Sequence, residues 1–146
     1  MSLKSLVNKD RKFVQKPWGY EDWLCNSPLY CGKDLFIKKG KKLSIHYHKL
    51  KTETFLIQSG KITVTAYTDP KFDAIFTTWD SFHRYMQTHT SLMTNESIET
   101  IVLEAGDTMT IPVGTRHTLF GDLDSHVFEF STQHFDTDSY RILIGG

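Results

Sequence analysis

Runs rich in β-branched and aromatic residues recur along this chain at 35–39, 43–48, 54–58, 61–68, 100–104, 108–111, 116–120 and 125–131. Each has the length and composition of a short strand. Between the runs stand glycine, proline and aspartate at 39–40, 59–60, 105–107, 112–114 and 121–122, residues that reverse a chain. Many short strands at near-regular spacing predict an all-β sandwich or barrel, and no amphipathic helix of useful length stands out. Closure of the sheet is expected, because an open edge would template aggregation.

One stretch breaks the pattern. From 69 to 97 aromatic residues persist with weak periodicity, and only 81–87 suggests a short helix. This stretch is expected to be an insertion between the two halves of the barrel, forming a lid or a packing flap. Residues 1–15 read as a flexible arm or an edge strand.

A length of 146 residues, with ten Phe, six Tyr and three Trp, suits one domain, 1–146, with a real core. Lysine plus arginine equals aspartate plus glutamate, so the basic surplus of a nucleic-acid binder is missing. The N-terminus lacks the apolar core of a signal peptide, and no apolar run approaches the roughly 20 residues that cross a bilayer. A cytoplasmic protein without membrane partners is expected. Cys25 and Cys31 have a spacing that matches no zinc or redox motif; free thiols are expected, with a small disulfide loop as the alternative.

The chemistry concentrates in two stretches. In 40–60, His46 and His48 are two apart, so on a strand both imidazoles leave the same face. After a four-residue link, Glu53 opens the next strand, where its carboxylate can meet them. In 106–121, a proline–any–glycine turn at Pro112 and Gly114 precedes His117. Three imidazoles and one carboxylate suit one divalent transition-metal ion, zinc first, with manganese, iron or nickel as alternatives. A single histidine would mean little, but these residues occur together and in order. By the same parity Ser44 points inward and Tyr47 outward, while Phe55 and Ile57 share the face of Glu53 as an apolar floor.

These stretches resemble the two motifs of the cupin superfamily, G-x5-H-x-H-x4-E-x6-G and G-x5-P-x-G-x2-H-x3-N. Every position matches except the last, where Gly121 replaces asparagine. The resemblance implies a double-stranded β-helix, or jelly-roll barrel, with the metal inside its mouth, and a homodimer. The flanks KPWGYEDWL, from Lys16, and FEFSTQHFDTDSYRI, ending at Ile142, look like the small cupins related to the C-terminal domain of type II mannose-6-phosphate isomerases.

That resemblance implies a metal-dependent sugar or sugar-phosphate isomerase working through an enediol, with the metal as Lewis acid. Two other readings stay open: a non-catalytic carbohydrate-binding cupin and an iron-dependent dioxygenase. Candidates for the base and for phosphate binding are Lys38, Tyr20, His126 and Arg141, followed by His134 and Tyr140. His83 and His89 are expected to face solvent. Trp18 and Trp23 are expected to pack at the barrel end rather than stack on a sugar.

Overall fold

The computed structural model describes residues 2–89 and 98–146. Its strands are β1 (Lys12–Lys16), β2 (Gly19–Asn26), β3 (Cys31–Ile37), β4 (Ile45–Tyr47), β5 (Glu53–Ser59), β6 (Lys61–Tyr67), β7 (Ile98–Glu104), β8 (Thr108–Ile111), β9 (Arg116–Gly121), β10 (Ser125–Ser131) and β11 (Tyr140–Leu143). They form two antiparallel sheets, one ordered β1-β2-β3-β10-β5-β8 and the other β11-β4-β9-β6-β7. This is the two-sheet β-architecture that the strand pattern predicts and the jelly roll that the resemblance implies.

Alternation explains how the sheets meet. On β3, Leu35 and Ile37 face inward; on β5, Phe55 and Ile57 do so. Ile62 and Val64 of β6 and Leu119 of β9 oppose them from the second sheet, all in one buried cluster. Inward residues two apart from opposite sheets thus fill the core, as in other two-sheet packings. Gly60 turns β5 into β6 at φ +93°, where a Cβ would strike Ser125 and the Asp124 carbonyl. Gly121, the one departure from the motif, has a different reason. A Cβ there would lie 2.7 Å from the Lys38 carbonyl oxygen, so an asparagine side chain has no room.

Several elements differ from the sequence expectation. The run at 35–39 begins earlier and ends at Ile37, and that at 43–48 contracts to Ile45–Tyr47. β1 pairs with β2 from Lys12 onward, so the arm expected over 1–15 ends sooner and its last residues are an edge strand. β2 and β11 were not among the expected strands.

The 69–97 stretch contains two helices rather than the one short helix expected at 81–87. Helix α1 spans Lys71–Ile75 and α2 spans Trp79–His89. Thr78 and Ser81 exchange hydrogen bonds of 3.0 and 3.1 Å at the start of α2, a reciprocal cap. Phe72, Phe76 and Phe82 pack with Tyr67, Ile98, Leu143 and Ile45 in a second buried cluster. Ile45 precedes an inward histidine, so this cluster lies on the outer face of the five-stranded sheet. Arg116 fastens the layer, donating to Asp73 at 2.9 Å while its guanidinium lies 3.8 Å above the Tyr47 ring. The helices therefore form the packing flap, not a lid over the barrel mouth; residues 90–97 fall outside the described residues. No helix among the described residues is long and apolar enough to cross a membrane.

Candidate active site

His46 on β4 and His117 on β9 are direct register partners across the five-stranded sheet. Glu53 opens β5 in the other sheet, and His48 sits just beyond β4. One ligand atom from each of His46, His48, Glu53 and His117 lies within 4.8 Å of all the others. The four residues named from the sequence thus come together from both sheets, and His46, His48 and Glu53 line a cavity of about 240 Å³.

Local hydrogen bonds set the tautomer of every ring. His46 Nδ1 lies 3.1 Å from the Ser44 carbonyl, His48 Nδ1 3.0 Å from the Asp138 carbonyl, and His117 Nδ1 3.0 Å from the Thr115 carbonyl. A carbonyl only accepts, so each Nδ1 carries a proton and each ring turns its Nε2 to the centre. Burial pushes His46 well below its ordinary range and, against the attraction of Glu53, takes His48 down to about 4. Both rings are neutral near pH 7.

Glu53 is 2 % exposed. Burial would raise its carboxyl, but the adjacent Lys51 ammonium opposes burial, and the carboxyl lies well below the usual carboxylate range. Its Oε1 stands 2.8 Å from His117 Nε2 and 3.8 Å from His48 Nε2. Despite the short separation, His48 Nε2, His117 Nε2 and Glu53 Oε1 have no hydrogen-bond partner. Lone pairs aimed at one another in a buried space are costly unless a cation sits among them. These residues fit a divalent metal ion, and the cluster could hold one.

Beside this cluster lies an ionic pair that the motif search did not find. Lys51 Nζ donates to Glu53 Oε2 at 3.1 Å and to Glu129 Oε2 at 3.0 Å, and stands 3.2 Å from His134 Nδ1. All three partners line the cavity with it. Burial and the charge of Glu53 raise the Glu129 carboxyl, with Lys51 opposing. Burial would lower Lys51, but the two carboxylates hold it raised and charged. The missed signal was parity: Glu129 shares its face with Ser125 and Val127, and Lys33 with Leu35 and Ile37, so each is a charge at an inward position.

Other candidates separate cleanly. Arg141 and His134 line the cavity, and Arg141 pairs in register with His46. Lys38 is exposed in the turn whose amide bonds the Trp18 carbonyl, away from the cavity lining. Tyr20 and His126 meet each other and Phe36 on the outer face of the six-stranded sheet. Their strand parity is opposite to that of the inward residues. Tyr140 stacks on Tyr47 at 5.2 Å, outside the barrel. His83 is exposed, whereas His89 is half-buried and stacks 3.8 Å from Tyr85. Trp18 is a core residue that also borders the cavity, and the Trp23 indole donates to Glu21. Cys25 and Cys31 are free.

Two facing antiparallel sheets with three imidazoles and a carboxylate converging between them define a cupin barrel with a metal-compatible centre. The family model described as D-lyxose isomerase matches residues 20–140, and the chain belongs to that family. This is a different family from the mannose-6-phosphate isomerases that the flanks resemble.

Solved structures share the fold. The capsular polysaccharide assembling protein CapF from Staphylococcus aureus is 17% identical with a TM-score of 0.67, covering 97% of this chain and 34% of its own. KdgF from Halomonas sp. is 14% identical with a TM-score of 0.61, covering 90% and 94%. An oxalate decarboxylase variant from Bacillus subtilis is 15% identical with a TM-score of 0.66, covering 90% and 30%. The chain thus spans about a third of the length of CapF and of the decarboxylase. At such identities the likeness shows the fold alone. A comparison with curated protein sequences finds no match.

Proposed function

We propose that this chain is a metal-dependent aldose–ketose isomerase acting on a small sugar. The observation that carries the reading is the set of buried, unpartnered Nε2 and Oε1 atoms beside an acid–base pair, Lys51 and Glu129, in one cavity. Membership of the D-lyxose isomerase family supports a sugar as the substrate. A divalent ion held by His46, His48, Glu53 and His117 would supply Lewis acidity toward adjacent carbonyl and hydroxyl oxygens.

The chain's own residues do the rest. Isomerisation moves a carbon-bound proton to the neighbouring carbon, so a base must take it and return it. Glu129 is the base: its carboxyl is raised by burial, faces the cavity, and belongs to neither the ligand set nor the outer surface. Lys51, at 3.0 Å, favours the ionised form of Glu129 and presents an ammonium to the sugar oxygens on which charge develops. Glu53 is held by Lys51 through Oε2, which leaves Oε1 for the metal. The flanking segments that look like type II mannose-6-phosphate isomerases border this same cavity through Lys16, Trp18, His134 and Arg141, which agrees with the same class of reaction.

The test is solvent exchange. Metal-loaded protein is incubated in D₂O with a panel of aldoses and ketoses, D-lyxose among them, and deuterium at the carbon beside the carbonyl is followed by NMR. Exchange with at least one sugar is expected, falling by about 10²-fold or more in Glu129→Gln. No exchange with any sugar at saturating metal overturns the reading.

A further inference from the structure

The metal cavity does not end at Lys51. A second recess of about 260 Å³ lies beside it, and Lys16, Glu21, His134 and Arg141 line both. Lys12 and Trp23 border only the second. A sugar bound at the metal thus lies beside a second hollow that shares four of its lining residues.

The charges of that hollow are unevenly spent. Glu21 accepts from the Trp23 indole at 2.9 Å and meets Lys33 at 3.5 Å and Lys16 at 3.8 Å. Asp136 accepts from His134 Nε2 at 3.0 Å. Both acids that face the recess are therefore engaged. The cations are not matched in return. Among the described residues Arg141 forms no ion pair or side-chain hydrogen bond, and Lys12 lies over the face of Trp23, at 4.2 Å, with only a through-space attraction to Asp136. Lys16 is held only by its long contact to Glu21.

We infer that this recess is an anion subsite, where Arg141, Lys16 and Lys12 hold a phosphate monoester at the non-reacting end of the sugar. The inference rests on the isomerase reading for the sugar, and it departs from the neutral pentose of the family's description. A neutral sugar leaves these cations with nothing to neutralise. A phosphate takes a planar guanidinium fork and two ammonium groups at once. The arrangement then fits the reaction: carbonyl end at the imidazoles, base in the same cavity, phosphate in the adjoining recess.

The protein as purified is titrated with inorganic phosphate by calorimetry, in the wild type and in Lys16→Gln/Arg141→Gln. The dissociation constant is expected to rise about tenfold or more in the double variant, a loss of about 1.4 kcal/mol or more. Arg141→Lys, which keeps the charge and loses the fork, should fall between them. In parallel, an aldose 5-phosphate should bind more tightly than the free aldose, with the preference reduced in the double variant. Equal phosphate affinity in wild type and variant, or absent binding, overturns the subsite. An aldonate that binds as tightly as the phosphate, with the same dependence on Arg141, overturns the phosphate assignment. Phosphate binding needs no turnover, so a failed isomerase reading leaves this measurement standing, and exchange of free sugars without phosphate binding sinks the subsite alone.

Discussion

Asp138 holds the segment that carries two of the candidate ligands, and replacing it should reveal how that segment is kept in shape. Its buried carboxylate accepts the amides of Lys49 at 2.9 Å, Leu50 at 3.1 Å and Lys51 at 3.1 Å. Its backbone carbonyl meets His48 Nδ1 at 3.0 Å. One residue thus fixes the tautomer of His48 and the path of the link to Glu53. Hydrogen bonds to a charged acceptor contribute about 1.5–3 kcal/mol each. In Asp138→Asn one acceptor oxygen becomes an NH₂ that faces amide donors, so about one to two such bonds are lost, roughly 2–4 kcal/mol. Exposure of Leu50 lets water reach part of the link, which favours the lower half of that range. The assay is urea unfolding of the metal-free protein followed by tryptophan fluorescence, with calorimetric zinc titration of the same sample. Zinc affinity should fall as well, by about 10-fold or more, because the carboxylate that fixes the link between His48 and Glu53 is lost, although the backbone carbonyl that meets His48 stays. A change in unfolding free energy within about 0.5 kcal/mol, the range of an ordinary surface substitution, would refute the reasoning.

Three further outcomes follow from the same coordinates. Lys51→Met strands Glu53 and Glu129 without their shared cation and should cost about 3–5 kcal/mol near pH 7, shrinking as the pH falls and Glu129 protonates; a pH-independent loss in urea melts would contradict this. Burial, with Lys33 and Lys51, takes His134 down to about 4, so between about 6.5 and 4 the unfolded chain binds a proton that the folded chain refuses. Stability of the metal-free protein should therefore drop as pH falls through that window, and His134→Gln should flatten the drop; an unchanged profile counts against it. Phe76→Ala empties a fully buried position under the helices and should cost about 3–5 kcal/mol while leaving zinc affinity intact, which thermal melts and zinc titration will check together.

The strands from β3 to β10 were legible because their inward positions are apolar and two apart, a period that propensity and pattern report alike. β1 and β2 escaped because their inward side lines a polar cavity: Glu21 and Lys16 stand where a core strand would carry leucine. Helix α2 carries Trp79, Phe82, Tyr85 and Met86 on one face, yet the aromatic rings and polar neighbours between them blurred the period. β11 was read as a tail word rather than a strand, being four residues long with a single fully buried side chain.

By itself the sequence determined the barrel and the identity of four converging side chains, because a period of two and a tight turn force same-face placement whatever else the chain does. Only the tertiary structure decided what surrounds them. Lys51 and Glu129 are 78 positions apart, and Asp138 lies 90 positions from His48. Such pairs meet because two sheets close on each other, and no local pattern encodes that approach. Strand parity can say which way a charge points; the fold alone supplies the partner that lets it stay buried.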